Sequence, residues 1–345
     1  MRTPIVAVPG ASGFIGAQVI RELADGDFRV RAGARPGSVR WHAEDVECQW
    51  SEFDIDDRQS LRSLFRGATG VIHCAGYHPR RALRPRRAKQ KGVQQLRNVL
   101  DACRAEDVKR VVYLSCAATA VGDGDASPVD ETSRYVPGTT DNAFLEAKAA
   151  MEAEAYRYVA SGMDIVIAAP TMVFGPGDID LSTAPLIRAA IDGKLPALPT
   201  DTAVNIVDVR DVARGIVAAL RKGRRGRRYF LAGHNVDIES LFEALLDAAG
   251  RRRPKTTVPL STLRSLVDFG ERLVDRVAGE DAPELSVLVD RSTTPAPLSN
   301  ERATGELGVQ FRSVDTTIAD TLAWMERVGY LSWSTPRTSA GLLRL

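Results

Sequence analysis

The sequence predicts an α/β fold: a doubly wound parallel sheet with a smaller, mainly helical C-terminal lobe. Three observations predict it. Short apolar runs alternate with helical apolar patterns through the first half of the chain, and repeated βα alternation implies a parallel sheet covered on both faces. The first run, Ile5-Val6-Ala7-Val8, leads into Gly10-Ala11-Ser12-Gly13-Phe14-Ile15-Gly16 and then a helical pattern of Ile15, Val19, Ile20 and Leu23. After Gly233 the texture changes to helical patterns.

The elements follow in order. Glycines suit the turn at 10–16 because they accept positive φ and let backbone come close to a ligand. The helix that opens there offers free N–H groups and a positive dipole end, a combination that binds pyrophosphate. Strands are expected at 28–32, 46–48, 71–75, 110–115 and 164–168. Between them lie a helix through Leu61, Leu64 and Phe65, a long one through Val93, Leu96, Val99, Leu100 and Cys103, and an Ala- and Glu-rich one over 144–159. Further on, 176–199 carries one helix between proline-rich loops. Strands are expected at 204–209 and 228–231, and helices at 240–249, 260–277 and 313–327. The tail after Trp333 is poorly tethered by composition.

Composition narrows the function classes. A net charge of +2 on 345 residues argues against a nucleic-acid binder. Cys48, Cys74, Cys103 and Cys116 show no CxxC pair and read as reduced, intracellular thiols. Met1-Arg2-Thr3-Pro4 leaves no room for a signal peptide before the first strand, and no apolar run is long enough for a bilayer, so a cytoplasmic protein is expected. His42, His73, His78 and His234 lack metal-ligand spacing, and His73 is expected to be a satisfied core residue. No GxSxG elbow is present.

The glycine turn and the later motifs closely resemble the extended short-chain dehydrogenase/reductase family. The nearest branches are dihydroflavonol-reductase-like, 3β-hydroxysteroid-dehydrogenase-like and sugar-epimerase/dehydratase. The markers are Gly10-x-x-Gly13-x-x-Gly16, Asp54-Ile55, Arg97-Asn98-Val99-Leu100 and Arg110-Val111-Val112-Tyr113-Leu114-Ser115. Two more are Pro170-Thr171-Met172-Val173-Phe174-Gly175-Pro176-Gly177-Asp178 and Asp208-Val209-Arg210-Asp211-Val212-Ala213. The resemblance implies a Rossmann NAD(P)-binding domain over 1–175 and 205–233, a substrate lobe over 176–204 and 234–330, and a tail over 331–345. It places Gly10, Ser12, Gly13, Phe14, Ile15 and Gly16 on the cofactor pyrophosphate. Asp54 and Ile55 flank the adenine, Cys74, Ala75 and Gly76 line the ribose side, and Pro170 to Val173, with Met172, run beside the nicotinamide. It also implies a homodimer. NADP is expected over NAD: the second strand ends in Arg31-Ala32-Gly33-Ala34-Arg35 with no acid, and Arg35 suits a phosphate.

The family's chemistry rests on a Tyr and a Lys four residues later, on one helix face. The lysine lowers the phenol pKa and holds the ribose hydroxyls, and the phenol exchanges the proton. Here the segment is Phe144-Leu145-Glu146-Ala147-Lys148. Phe144 stands at the Tyr position, Ala117 at the usual Ser/Thr position, with Thr119 two residues away, and Gly92 where the family often has Asn, with Gln94 or Gln95 as substitutes. Several readings follow. The leading one is an NADP-dependent oxidoreductase or epimerase-like enzyme acting on a small, apolar carbonyl, enone or hydroxyl compound, in which Lys148 positions the nicotinamide ribose and another group, Thr119, Tyr77, His78 or Tyr135, contacts the substrate oxygen or supplies the proton. Alternatively hydride adds to a conjugated enone, which needs little help from a phenol. Two further alternatives are a non-redox isomerase or cyclase on the same fold and a catalytically silent NADP-binding regulatory or scaffold protein.

The stretch 80–91 holds seven cations and no acid beside the expected cleft, fitting an acidic or carrier-bound substrate or a solvated loop. A second basic cluster, 221–228, is expected on the surface. Glu152 and Glu154 are expected on a solvated helix face.

Overall fold

The order of strands comes from the chain's βα rhythm. The computed structural model describes residues 3–40, 43–77, 85–120, 128–138, 143–178, 190–193, 197–260, 262 and 297–331. The first half runs β1 (Ile5–Pro9), α1 (Phe14–Ala24), β2 (Arg29–Ala34), β3 (Gln49–Glu52), α2 (Arg58–Phe65), β4 (Gly70–His73), α3 (Pro85–Ala105), β5 (Arg110–Leu114), α4 (Ala143–Ala160) and β6 (Ile165–Pro170). There follow β7 (Met172–Phe174), β8 (Leu198–Thr200), β9 (Ala203–Asp208), α5 (Val209–Lys222), β10 (Arg228–Leu231), β11 (His234–Asp237), α6 (Ile238–Ala248), β12 (Thr257–Pro259) and α7 (Val314–Arg327).

Seven strands form one parallel sheet in the order β10-β6-β5-β4-β1-β2-β3. The chain goes from β1 to β2 on one side and returns to β4 on the other, so the switch point lies at the carboxyl end of β1, where open α/β sheets bind ligands. Apolar residues of both strand faces are buried. Val6, Val8, Ile20, Leu23 and Ile216 form the core under α1 and α5. Ala7, Val71, Val111, Leu96 and Met151 form the core under α2, α3 and α4. Each fully buried Leu or Ile contributes roughly 1.5–3 kcal/mol.

A second core gathers Phe174, Leu198, Ile206, Leu241, Leu245, Trp324 and Met325. It sits against a three-stranded sheet, β11-β9-β7, and a two-stranded pair, β12-β8. Ala303, Leu307 and Val309 instead join the first core, although they follow this region in sequence. The Asp208 to Ala213 motif explains the join. Asp208 caps α5 by accepting from the Arg210 N–H at 2.8 Å, and its carboxylate pairs with Arg210, which also reaches Asp320 on α7. Asp211, fully buried, pairs with Arg214 and Arg312 and accepts from the Arg312 N–H at 2.6 Å.

Several sequence expectations are corrected. The third strand is Gln49–Glu52, not 46–48; it is the edge strand, half-exposed, and its polar residues carry little apolar signal. The region after Gly233 contains β11 and β12 as well as helices. The basic stretch 80–91 is helical from Pro85 onward, and 80–84 lie outside the described residues, as do most of 260–277 and the tail from 332. Glu152 and Glu154 are buried, not solvated, and Arg228 of the second basic cluster is 1% exposed.

Candidate functional site

The glycine turn crosses the carboxyl end of β1. The N–H groups of Gly10 and Ala11 both donate to the Gly33 carbonyl at 2.9 Å, tying the turn to β2. Gly10 has φ +87°, and a Cβ there would lie 2.6 Å from the Ala75 nitrogen. A Cβ at Gly16 would lie 2.0 Å from the Gly10 carbonyl oxygen. Only glycine permits either approach. Gly13 is the N-cap of α1, with no side-chain cap and no acid in the first turn. The helix start therefore keeps free N–H groups and an uncompensated dipole end, with Ser12 and Ile15 half-buried beside it and Phe14 buried below. This cradle fits a pyrophosphate.

Other predicted cofactor residues gather at the same end of the sheet. Arg35 follows β2, is exposed, and has no ion-pair partner among the described residues; its carbonyl accepts from the Ser38 N–H at 3.1 Å. Asp54 and Ile55 follow β3. The Asp54 carboxylate accepts from the Asp56 N–H at 2.9 Å, and the Asn98 side chain donates to the Ile55 carbonyl at 3.2 Å. Cys74, Ala75 and Gly76 continue from β4, the Cys74 N–H donating to the Pro9 carbonyl at 3.0 Å, and burial pushes the Cys74 thiol up to about 12. Pro170 closes β6 and Met172 and Val173 open β7, half-buried. The Gln18 amide on α1 donates to the Pro176 carbonyl at 3.3 Å, folding the Gly175 to Asp178 loop against the helix that holds the cradle.

Lys148 is 2% exposed on the inner face of α4. Its Nζ lies 5.7 Å from the centroid of the buried Phe144 ring, one turn earlier. Ala117 is fully buried at the start of a 3₁₀ turn, Ala117–Thr119, capped by the Cys116 thiol. The Thr119 hydroxyl donates to the Cys116 carbonyl at 3.0 Å and lies 3.5 Å from the Arg228 guanidinium, so it is engaged inside the protein. Tyr77 packs on Ala88 of α3 and on Ala143 and Ala147 of α4. Gly92 makes room for it: a Cβ there would lie 3.2 Å from the Tyr77 ring and 2.8 Å from the Met151 sulfur. Gln94 donates to Asn98 and Gln95 to Asp56, and the Tyr135 hydroxyl donates to Glu146 at 2.8 Å. His78 lies outside the described residues.

Sequence reasoning missed a buried polar network behind this site. Glu152 lies four residues beyond Lys148, on the same helix face. It accepts from the Ser115 hydroxyl at 2.8 Å and pairs with Arg228 at 3.0 Å. Arg228 also donates to the carbonyls of Glu131 and Ser133. The available signal was an arginine opening the apolar strand Arg228-Tyr229-Phe230-Leu231. His73 is corrected too: it is 1% exposed, yet neither ring nitrogen has a hydrogen-bond partner among the described residues. Among those residues no His, Cys, Asp or Glu cluster has metal-binding geometry, and no helix is long and apolar enough to cross a membrane.

Sheet order, glycine cradle and buried lysine together define a Rossmann-type NAD(P)-binding protein. The model of the NAD dependent epimerase/dehydratase family matches residues 6–232, and the chain belongs to that family. It is 31% identical over 246 residues to cinnamoyl-CoA reductase 1 of Oryza sativa subsp. japonica, covering 66% of this chain and 71% of that one. It is 29% identical over 276 residues to dihydroflavonol 4-reductase of Zea mays, covering 74% and 76%. The crystal structure of gox2253 superposes with a TM-score of 0.82 at 26% identity, covering 96% of this chain and all of that one.

Proposed function

We propose that the chain is an NADP-preferring oxidoreductase whose proton transfer does not use a phenol, acting on a small, apolar carbonyl or enone compound. Lys148 carries the reading. Burying an ammonium is costly, and this one is 2% exposed beside the Phe144 ring, where the family resemblance expects a phenol. NADP, when bound, supplies or accepts the hydride. The N–H groups at the start of α1 hold the pyrophosphate, Arg35 the extra phosphate, and Lys148 the ribose hydroxyls. Phe144 forms an apolar wall and exchanges no proton. That suits a conjugated enone, where the proton goes to carbon and solvent can deliver it. The reductase names of the two relatives favour reduction over epimerisation. We also propose a homodimer through α3 and α4, which light scattering tests, and a cytoplasmic location, which cell fractionation tests.

The apolar pair Phe144 and Ala117 favours one rival, a silent NADP-binding protein. Phe144→Tyr separates the two. We expect the wild type to oxidise NADPH with members of an enone panel, and the variant to gain small-ketone reduction by about 10²-fold, the low end of what a general acid contributes. If both proteins bind NADPH and neither transfers hydride to any panel member, the rival stands and the enzyme reading falls.

A further inference from the structure

Thr171 lies between β6 and β7, where the chain leaves the carboxyl end of the large sheet for the second core. Its hydroxyl donates to Asn205 Oδ1 at 2.8 Å. Asn205 is 2% exposed and belongs to β9, the middle strand of the β11-β9-β7 sheet. Its amide donates to Asn235 Oδ1 at 2.8 Å, directly across the antiparallel β9–β11 pair. The chain enters β11 by crossing close over β9 at Gly233, where a Cβ would lie 2.2 Å from the Ile206 carbonyl oxygen.

Asn235 then takes the part of a strand. Its amide donates to the Leu298 carbonyl at 3.0 Å, and its Oδ1 accepts from the Leu298 N–H at 3.0 Å. On the other side residues 297–299 pair with Val129. The Val129 N–H donates to the Pro297 carbonyl at 2.7 Å, and the Ser299 N–H donates to the Val129 carbonyl at 2.9 Å. A backbone N–H only donates and a carbonyl only accepts, so Leu298 dictates which way the Asn235 amide points. Asn235 Oδ1 in turn requires a donor from Asn205, which turns Asn205 Oδ1 toward Thr171 and commits the Thr171 hydroxyl to donating. Each amide is thus held in one orientation by the next, from residue 298 to residue 171.

We propose that Asn205 is a positioning residue for the nicotinamide end of the cofactor. It fixes Thr171, and with it the turn through Pro170 to Val173, to the clamped segment 297–299 by way of Asn235. The wall of the cofactor cleft is thereby held in place from the second core. This rests on the reading that the chain binds NADP with its nicotinamide beside residues 170–173.

The test combines two measurements. Calorimetry compares NADPH with 2′-phospho-ADP-ribose, which lacks only the nicotinamide. Asn205→Asp keeps the acceptor for Thr171 but sets a carboxylate oxygen against Asn235 Oδ1, and Thr171→Val removes the first donor. We expect each variant to lose about fivefold for NADPH, roughly one neutral hydrogen bond, and to bind 2′-phospho-ADP-ribose as wild type does. Thr171→Ser, which keeps the hydroxyl, retains wild-type NADPH affinity. Equal losses for both ligands mark a general structural role and overturn the proposal, as does no loss for either. Hydrogen exchange at the Leu298 N–H, followed by NMR, reads the chain of amides without a ligand. We expect Thr171→Val and Asn205→Asp to speed it about fivefold and Thr171→Ser to leave it unchanged. Unaltered exchange in Thr171→Val overturns the coupling of residue 171 to residue 298. If wild type binds neither ligand, the cofactor reading fails and the positioning role falls with it, while exchange at Leu298 still decides whether Asn205 couples the two ends.

Discussion

Phe144 and Lys148 stand one turn apart on α4, with the ammonium 5.7 Å from the ring centroid. In the proposed reading the work of Lys148 is binding. Lys148→Met is therefore expected to weaken NADPH and NADH alike, by about tenfold, the worth of a hydrogen bond to a charged group, as isothermal calorimetry measures. Arg35→Ala is expected to act differently, because only NADPH carries the phosphate that the proposed reading gives to Arg35. Both readings rest on residue type and spacing, which a sequence displays directly: an arginine where an acid would bind ribose, and a lysine at i+4. The orientation of Thr119 is not displayed there. Its candidacy rested on being two residues from Ala117, and the 3₁₀ turn aims its hydroxyl at the Cys116 carbonyl. His73 was equally opaque, because whether a buried imidazole is satisfied depends on what faces it across two strands and a helix.

At the scale of elements, α4 and α5 are held by buried carboxylates. Glu152 locks α4 to Ser115 and to Arg228 on β10. Arg228→Met strands its charge and is expected to lower unfolding free energy by about 3–5 kcal/mol, read by urea denaturation. Asp208 caps α5, and Asp208→Ala is expected to cost about 2 kcal/mol for the cap and its ion pair. Burial pushes the Asp208 carboxyl up, and the hydrogen bonds and charge of Arg210 outweigh it, so its pKa is lowered. Its contribution is thus complete above the ordinary carboxyl value of about 3.8 and is lost as pH falls through the lower folded value. The gap between wild-type and Asp208→Ala urea midpoints is expected to close as pH drops below that point. These pairs were hidden because a Glu-rich helix and an Arg-rich turn look solvated until burial is known. The strands of the large sheet were legible where they are buried on both faces, as β6 is along its whole length, and misplaced at the half-exposed edge strand β3.

For the whole molecule, the glycine turn predicts the sheet and the sheet places the site. The second core was less legible. Its strands β7, β8 and β12 are three residues each, too short for a periodic signal, and Asp211 ties it to the first core through Arg312, a contact 101 residues apart in sequence. Nothing in that region carries a readable substrate code. The cradle at α1 is the part on which every functional statement depends, and dinucleotide titration tests it most directly. Purified protein is titrated with NADPH and with NADH, by calorimetry and by thermal stabilisation, alongside Arg35→Ala. The account predicts NADPH binding that raises the melting temperature, weaker NADH binding, and an Arg35→Ala variant that loses about tenfold for NADPH while NADH is unchanged. Equal affinity for both dinucleotides with no effect of Arg35→Ala would contradict the NADP preference, and no binding of either would contradict the cofactor site itself.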